Sequence, residues 1–238
     1  MTSYKEVYEK GILDIWLDIS TFCNAACPAC HRTERLKPGL GKVNWLPLIQ
    51  WSIDEFKSVY NKEMIERTRR WEFCGTFGDP AMNKDLVKMT KYILDNNNNS
   101  EVIIFSNGSI RSKEWWYDLG KLGKSVSVWF ALEGITQEMH AKYRRKTSLK
   151  KLLENMQAFT NGGGATKSFT VIHRHNQDYL QKIENLALEH GAEGFAWVKS
   201  TRYDEGEDSF SFYDEYGNME KLYKPTKEFA KPFHGEVV

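Results

Sequence analysis

Six short apolar segments alternate with amphipathic segments along this chain, and this alternation is the strongest constraint on its fold. In the first segment, apolar and polar side chains alternate with a period of two, which is typical of a strand. Strands that alternate with helices predict right-handed β–α–β units and a parallel sheet. The six predicted strands are Leu13–Ile19, Trp71–Cys74, Val102–Phe105, Val126–Leu132, Phe169–Ile172 and Phe195–Val198.

Between these strands, apolar residues recur at helical spacing. Ser52 and Glu55 match a capping box, so a helix is predicted to begin after Ser52. Ser112 can cap a further helix, and Thr147 is predicted to begin the clearest amphipathic helix, which glycines at 162–164 end. Residues 31–50 place prolines and glycines among basic side chains and are predicted to form a long irregular connection.

The loop after the first predicted strand holds three of the four cysteines of the chain. Cys23, Cys27 and Cys30 have the spacing C-x3-C-x2-C. Thiolates are soft ligands that suit iron–sulfur clusters, zinc or copper(I). Full protein ligation of a four-iron cluster takes four cysteines. Three thiolates would therefore leave the fourth iron open to a small-molecule ligand.

The same loop fits other chemistries. Cys27 to His31 spells C-x-x-C-H, the pattern of haem c attachment. Cys27 and Cys30 alone could form a dithiol redox pair, and three cysteines with His31 could form a structural zinc site. A lone cysteine is usually a small buried hydrophobe, but three cysteines within eight residues argue against that role.

Composition restricts the possible partners and compartment. The net charge is +1, so no electrostatic case for nucleic acid or a membrane surface arises. The first residues lack the apolar core of a signal peptide, and no apolar run is long enough to span a bilayer. These features predict a cytoplasmic protein, whose thiols stay reduced. That compartment weakens the haem c interpretation and favours metal binding or catalysis over a disulfide.

The C-x3-C-x2-C loop after a first strand resembles that of the radical S-adenosylmethionine (radical SAM) superfamily. The resemblance covers roughly residues 12–200 and implies a partial (β/α)6 TIM-like barrel, since six units are too few for a closed eightfold barrel. We expect residues 1–200 to form this domain. Residues 201–238 are expected to be a C-terminal extension that either packs across the barrel mouth or stays partly disordered. Because no cysteine follows Cys74, we expect a minimal form without a cysteine-ligated auxiliary cluster.

The resemblance also implies the cofactors. A [4Fe–4S] cluster would be bound by Cys23, Cys27 and Cys30, and S-adenosylmethionine would bind the fourth iron. The segment Gly78-Asp79-Pro80 resembles the family's G-G-E-P turn, which receives the methionyl amino group. Phe77 and Asp79 depart from that pattern, but the backbone carbonyls of such a turn can still accept hydrogen bonds from an ammonium group. The predicted cofactor-binding residues of this turn are Thr76, Gly78, Asp79 and Pro80.

Two later segments extend the resemblance. Ser106-Asn107-Gly108 is similar to the family's S-N-G, whose hydroxyl can bind the cofactor, although Asn-Gly also favours an ordinary tight turn. Glu133-Gly134, followed by His140, Tyr143 and Arg144, looks like the family segment D-G-x5-H-x-x-Y-R. Its arginine would clamp the methionine carboxylate through a planar fork, whereas the alternative is a solvated charged run. The predicted cofactor-binding residues here are Ser106, Asn107, Glu133 and Arg144.

Other positions depart from the family or stay open. Ala29 stands where an aromatic residue often lies against the adenine, and Ala131 stands at a position of a family serine. Ala29 is nevertheless predicted to contact the cofactor because of its place before Cys30. Cys74 is predicted to be mainly a core cysteine, and the alternative is a role near the substrate. The segment His173-Arg174-His175-Asn176 follows the fifth strand and is either an anion-facing loop or an ordinary one.

The resemblance implies reductive cleavage of S-adenosylmethionine to a 5′-deoxyadenosyl radical, which abstracts hydrogen from a peptide, a nucleotide or another small metabolite. An electron donor such as flavodoxin or ferredoxin would be a partner. The rival hypothesis is a thiol–disulfide exchange module or a structural zinc module that uses the same cysteines.

Overall fold

A six-stranded parallel sheet forms the centre of the computed structural model, which describes residues 13–227. The neighbouring strands follow the order β1-β4-β5-β6-β7-β8, and every neighbouring pair is parallel. The strands are β1 (Leu13–Leu17), β2 (Thr33–Glu34), β3 (Gly41–Lys42), β4 (Thr68–Phe73), β5 (Glu101–Ser106), β6 (Val126–Ala131), β7 (Ala165–Ile172), β8 (Gly194–Lys199), β9 (Ser209–Tyr213) and β10 (Met219–Tyr223).

Helices follow the strands of the sheet as the alternating pattern predicts. The helices are α1 (Ile53–Val59), α2 (Lys62–Glu66), α3 (Leu86–Asn96), α4 (Lys113–Gly120), α5 (Gln137–Ala141), α6 (Leu149–Gly162) and α7 (Leu180–Glu189). β1 and β8 occupy opposite edges of the sheet and do not pair, so the sheet does not close into a complete barrel. The predicted partial barrel is confirmed.

Local signals place most helix starts correctly. Ser52 and Glu55 form both hydrogen bonds of the predicted capping box, and the Ser112 side chain accepts from the Trp115 amide. The helix predicted to begin at Thr147 instead begins at Leu149, with Ser148 as its N-cap. Thr147 belongs to the preceding turn, because its hydroxyl donates to the Arg144 carbonyl and contacts the His140 ring.

The predicted irregular connection over residues 31–50 contains one short antiparallel pair, β2 with β3. β1 ends at Leu17, earlier than the predicted Ile19. The Asp18 carboxylate accepts from the amides of Thr76 and Phe77, so the chain leaves β1 to meet the turn after β4. The first strand is therefore shorter than its alternating pattern suggests.

The main core lies between one face of the sheet and the helices. Phe56 of α1 packs against Trp71 of β4 with ring centroids 5.6 Å apart, and Trp116 of α4 packs against Phe130 of β6 at 5.0 Å. All six residues of β6 are buried, as expected for a central strand covered on both faces. α4 and α6 cross closely at Gly120, where an added Cβ would lie 2.3 Å from the Phe159 carbonyl oxygen.

After β8, the antiparallel hairpin β9–β10 packs beside the cysteine-bearing loop. Phe212 and Leu222 of this hairpin are buried against Ala26, Cys27 and Tyr143. No helix within residues 13–227 has the length and apolar character needed to cross a membrane.

Candidate active site

A cavity of about 540 Å³ opens at the carboxyl ends of the parallel strands. Loops that follow different strands meet at this edge, as in other parallel α/β folds. Of the predicted site residues, those that line the cavity are Cys23, Cys27, Ala29, Cys30, Thr76, Gly78, Asp79, Ser106, Asn107 and Arg144. Pro80 and Glu133 do not line it. Pro80 is buried in a 3-10 turn over Pro80–Met82, and Glu133 lies fully buried behind Arg144.

One wall of the cavity is the cysteine loop, residues 20–32. All three thiols are free of disulfides; Cys27 is buried, and Cys23 and Cys30 are half-buried. A backbone hydrogen bond from the Cys30 amide to the Cys27 carbonyl, at 3.0 Å, tightens the loop. The Ala26 amide donates to the Arg145 carbonyl, which ties the loop to the segment after α5.

Hydrogen-bond donors already point at two of the sulfur atoms. The Ala25 amide lies 3.4 Å from Cys23 Sγ, the Asn107 side-chain amide lies 3.8 Å from the same sulfur, and Arg144 Nη1 lies 3.7 Å from Cys27 Sγ. Such donors are the contacts that tune cluster-bound thiolates. The donor set therefore fits an iron–sulfur cluster.

The arrangement of the described residues also bears on the binding of a single metal ion. Within residues 13–227, no three Cys, His, Asp or Glu side chains form a group that could hold one metal ion. His31, the fourth ligand of the zinc hypothesis, is exposed and contacts Arg202. In a cluster, by contrast, each thiolate binds a different iron atom, so the three sulfur atoms need not converge on one point.

The raised pKa values of Cys23 and Cys27 argue against disulfide exchange. Burial raises the pKa of Cys27 to about 11, even though the Arg144 cation opposes the shift. Burial and the nearby Asp79 also raise the pKa of Cys23. A dithiol nucleophile needs the opposite shift, because the thiolate is the reacting species.

A second wall, here called the strand-end wall, comprises Gly75–Asp79 after β4 and Ser106–Asn107 at the end of β5. Asp79 is buried at its centre. Its carboxylate accepts hydrogen bonds from Ser106 Oγ at 2.9 Å, the Asn107 amide at 2.9 Å, Asn107 Nδ2 at 2.6 Å and the Ala81 amide at 3.0 Å. Burial raises the pKa of Asp79, although its hydrogen bonds oppose this shift. The Asp79 and Ser106 side chains are therefore hydrogen-bonded to each other.

Gly78 lets the strand-end wall approach the cysteine loop. A Cβ at this position would lie 2.0 Å from the Ser20 carbonyl oxygen. The adjacent Asp79 amide donates to the Phe22 carbonyl at 2.8 Å. Any larger residue at Gly78 would push the turn away from the cysteines.

Arg144 reaches the cavity from the turn after α5. Its Nε and Nη2 both donate to Oε1 of Glu133, at 3.1 and 2.8 Å, while Nη1 remains on the cavity side beside Cys27. Burial raises the pKa of Glu133 to about 7, against the opposing effect of Arg144. Glu133 Oε2 also accepts from the Val171 amide, so Arg144 is anchored to β7. The Nε–Nη2 edge of the guanidinium is thus already engaged by Glu133.

Cys74 is not the core residue that the sequence suggests. It is half-buried and lines the cavity. It directly follows the last residue of β4, so its side chain emerges at the edge where the strands end. Burial raises the pKa of this thiol to about 11. Its position at the end of the strand could have indicated a place in the site, but Cys74 also continues the apolar run, which favours the core.

The histidine segment after β7 does not line the cavity. His173 is fully buried, and its Nδ1 lies 2.6 Å from the Tyr203 hydroxyl. Arg174 donates to the Lys224 carbonyl and stacks on Tyr223 of the hairpin. The segment therefore joins the barrel to the residues after β8.

Several cavity residues carry no motif in the sequence. They comprise an aromatic pair, Phe105 and Phe169 with ring centroids 6.2 Å apart, and three cations, Arg32, Lys199 and Arg202. Phe105 lies on β5 and Phe169 on β7, the two strands that flank β6, so the strand order brings them together. Alternating positions near the strand ends were the available signal for the aromatic residues.

A family model for the radical SAM superfamily matches residues 17–187. The chain belongs to the radical SAM superfamily. Its cofactors are accordingly S-adenosylmethionine and a [4Fe–4S] cluster. No curated protein matches the chain.

Solved structures share the fold at low sequence identity. SuiB of Streptococcus suis bound to S-adenosylmethionine is 10% identical with a TM-score of 0.63, covering 94% of this chain and 46% of that chain. Native anSMEcpe with bound AdoMet is 14% identical with a TM-score of 0.61, covering 79% and 51%. Methylornithine synthase (PylB) is 13% identical with a TM-score of 0.54, covering 84% and 61%. The chain thus spans about half of the length of these structures.

Proposed function

We propose that this protein binds a [4Fe–4S] cluster through Cys23, Cys27 and Cys30 and cleaves S-adenosylmethionine reductively. The observation that carries the proposal is the convergence of three free thiols on one cavity at the strand ends. A cluster held by these thiols would supply the electron for reductive cleavage of S-adenosylmethionine, and the resulting 5′-deoxyadenosyl radical would take a hydrogen atom from the substrate. A flavodoxin or a ferredoxin is the proposed electron donor.

The strand-end wall positions the methionyl part of the cofactor in this proposal. The turn that holds Thr76, Gly78 and Pro80 offers backbone carbonyls to the amino group, and Asp79 fixes the turn against Ser106 and Asn107. Arg144 Nη1 donates to the carboxylate, while Glu133 holds the other guanidinium edge. With the Nε–Nη2 edge engaged by Glu133, Arg144 would present its Nη1 side to the carboxylate, and the remaining Nη1 and Nη2 hydrogens still allow a planar fork.

The adenosyl part would lie between the cysteine loop and the last strands. Ala29 lines the cavity without a side chain large enough to stack on adenine. Phe169, Val171 and Val198 provide apolar surface at the ends of β7 and β8. Such a lining keeps water away from a reactive radical.

The substrate is a peptide, a nucleotide or another small metabolite. A peptide is the first class to test, because structures with similar folds are of SuiB bound to the precursor peptide SuiA and of anSMEcpe with AdoMet and the Cp18Cys peptide. Deuterium transfer from a labelled candidate into 5′-deoxyadenosine identifies the substrate directly.

The experiment that tests the function is anaerobic. Protein loaded with iron and sulfide, reduced with dithionite and given S-adenosylmethionine should form 5′-deoxyadenosine and methionine, measured by chromatography. The Cys23/Cys27/Cys30→Ala triple variant is the control and should form neither. Methylthioadenosine as the product would show cleavage of a different sulfonium bond. Stoichiometric zinc without sulfide, and no nucleoside product, would favour the zinc or thiol-exchange hypothesis.

A further inference from the structure

Cationic side chains gather at the mouth of the candidate active site. Arg32, Lys199 and Arg202 all line the cavity. Besides Arg144, which Glu133 neutralises, they face a single carboxylate among the described lining residues, that of Asp79. That carboxylate is directed at the ends of β4 and β5 by its hydrogen bonds with Ala81, Ser106 and Asn107. Among the lining residues, positively charged side chains therefore outnumber carboxylates, although the whole chain is nearly neutral.

Two of these cations have capacity for an anionic ligand. Arg32 donates from Nε to the Thr21 carbonyl at 3.1 Å, which fixes the side chain and leaves its two terminal nitrogens. Arg202 is exposed, and its Nη1 contacts His31 Nε2. Within residues 13–227, neither arginine is paired with a carboxylate. The acidic Asp208 nearby in sequence is 3.5 Å from Arg174 instead.

The position of the pair coincides with the opening of the barrel. Arg32 belongs to the loop after β1, and Arg202 follows β8, so the two residues come from opposite edges of the sheet. The contact between Arg202 and His31 spans the gap that these unpaired edges leave. Arg32 and Arg202 therefore follow the two edge strands and line the same cavity as the cysteines.

S-adenosylmethionine accounts for only part of this charge. It brings one carboxylate, and Arg144 Nη1 is the proposed donor to it. Guanidinium groups bind carboxylates and phosphates through planar, charge-assisted hydrogen bonds. We propose that Arg32 and Arg202 bind an anionic group of the substrate, a carboxylate or a phosphate, at the opening between β1 and β8. This inference rests on the proposed function, and it narrows the substrate to an anion whose remaining part faces the apolar wall of Phe105 and Phe169.

Anaerobic calorimetry on the cluster-loaded protein with saturating S-adenosylmethionine tests the inference. Inorganic phosphate and glutarate are titrated separately at low ionic strength, so the two arms distinguish a phosphate site from a carboxylate site. Wild type should bind at least one of them. Arg32→Gln/Arg202→Gln should weaken that binding by about tenfold or more, as expected for lost charge-assisted hydrogen bonds. Lys88→Gln/Lys150→Gln, which removes two exposed positive charges elsewhere, should bind as wild type does.

Iron content and the affinity for S-adenosylmethionine are measured for every variant. Arg202→Gln alone is the second variant, because Arg202 is exposed; it should weaken anion binding about threefold or more, being one of two cations at the site. Failure of wild type to bind either anion, or an equal loss in the lysine variant, would overturn the inference. So would a matching loss of affinity for S-adenosylmethionine, which would assign the arginines to the cofactor carboxylate. The proposed function fails separately, on the absence of 5′-deoxyadenosine from wild type.

Discussion

The cysteine loop and the strand-end wall face each other across one cavity, but they are built in opposite ways. In the cysteine loop the reactive atoms are three free thiols, and the loop is held from outside by hairpin residues such as Phe212 and by the carbonyl of Arg145. In the strand-end wall the polar groups satisfy one another around Asp79. The cysteine loop therefore offers free ligand atoms, whereas the polar groups of the strand-end wall are already hydrogen-bonded to one another.

The same contrast separates two adjacent arginines. Arg144 turns into the cavity and pairs with the buried Glu133, while Arg145 turns outward to Glu215 at 2.6 Å and Glu220 at 3.2 Å in and beside the hairpin. The first side chain lines the cavity, and the second joins the segment after α5 to the hairpin. Neighbouring residues of one type thus serve the two regions separately.

The largest expected effect is on the cysteine loop. Cys23→Ala should abolish cluster binding, measured as iron and sulfide per protein, because three thiolates are the minimum for a site-differentiated cluster. Cys23 lies outside the C-x-x-C pair, so a dithiol function would survive this change. Cys74→Ala is the matched control and should retain the cluster. Full iron content in Cys23→Ala would refute the assignment of the three ligands.

The next effect distinguishes the two arginines. Arg144→Ala removes the partner of a buried carboxylate, which should cost about 3 kcal/mol or more of folding free energy. It should also weaken S-adenosylmethionine binding about tenfold through the lost charge-assisted contact. Calorimetry and urea unfolding measure the two effects. Arg145→Ala should leave cofactor affinity within about twofold while it loosens the hairpin, since a change of 1.4 kcal/mol corresponds to a factor of ten. The reverse pattern would shift the assignment by one residue.

A smaller effect is expected in the strand-end wall. Asp79→Ala leaves the buried donors of Ser106, Asn107 and Ala81 without their acceptor, which should lower the unfolding free energy by about 2–3 kcal/mol. Asp118→Ala, on an exposed surface, is the control and should change stability little. Weaker cofactor binding with unchanged stability would instead mean that Asp79 contacts the cofactor directly.

The smallest effect is a pH dependence. His140 is buried, and burial and then Arg144 lower its pKa to about 3 from 6.5. Its Nδ1 accepts from the Glu133 amide, so the neutral ring is the folded form. The unfolded chain binds this proton first, hence stability should fall as pH decreases from 6.5 towards 3, by at most about 1.4 kcal/mol per pH unit from this group.

Urea unfolding of the cluster-free protein between pH 7 and 5 measures that slope. In His140→Gln the slope should decrease, because glutamine can accept the Glu133 hydrogen bond but does not titrate. His175, whose pKa burial and Lys142 lower to about 4, contributes to the slope in the same sense. Glu133, whose pKa burial raises to about 7, opposes it, so the measured quantity is the difference in slope between wild type and His140→Gln. An unchanged slope would show that His140 does not contribute to it.

The sequence alone determined the fold class, the three clustered thiols and the strand ends at which the site forms. These features depend on side-chain period, capping and short spacings, which are local properties of the chain. The Ser52 cap and the six-strand alternation are examples, and both are present in the structure. Even local signals fail where a side chain has a distant partner, as Asp18 does when it ends β1 early.

Only the tertiary structure decided which polar groups pair with each other and which side chains share the cavity. It joined Asp79 to Ser106 and Asn107, directed Arg144 towards Glu133, and placed Cys74, Arg32 and Arg202 on one cavity. Each of these relations depends on strand order and register, which bring together residues far apart in the chain. A local pattern specifies which face a side chain occupies, but the partner across that face is set by the neighbouring strand, and this is why the contacts of the site followed only from the folded chain.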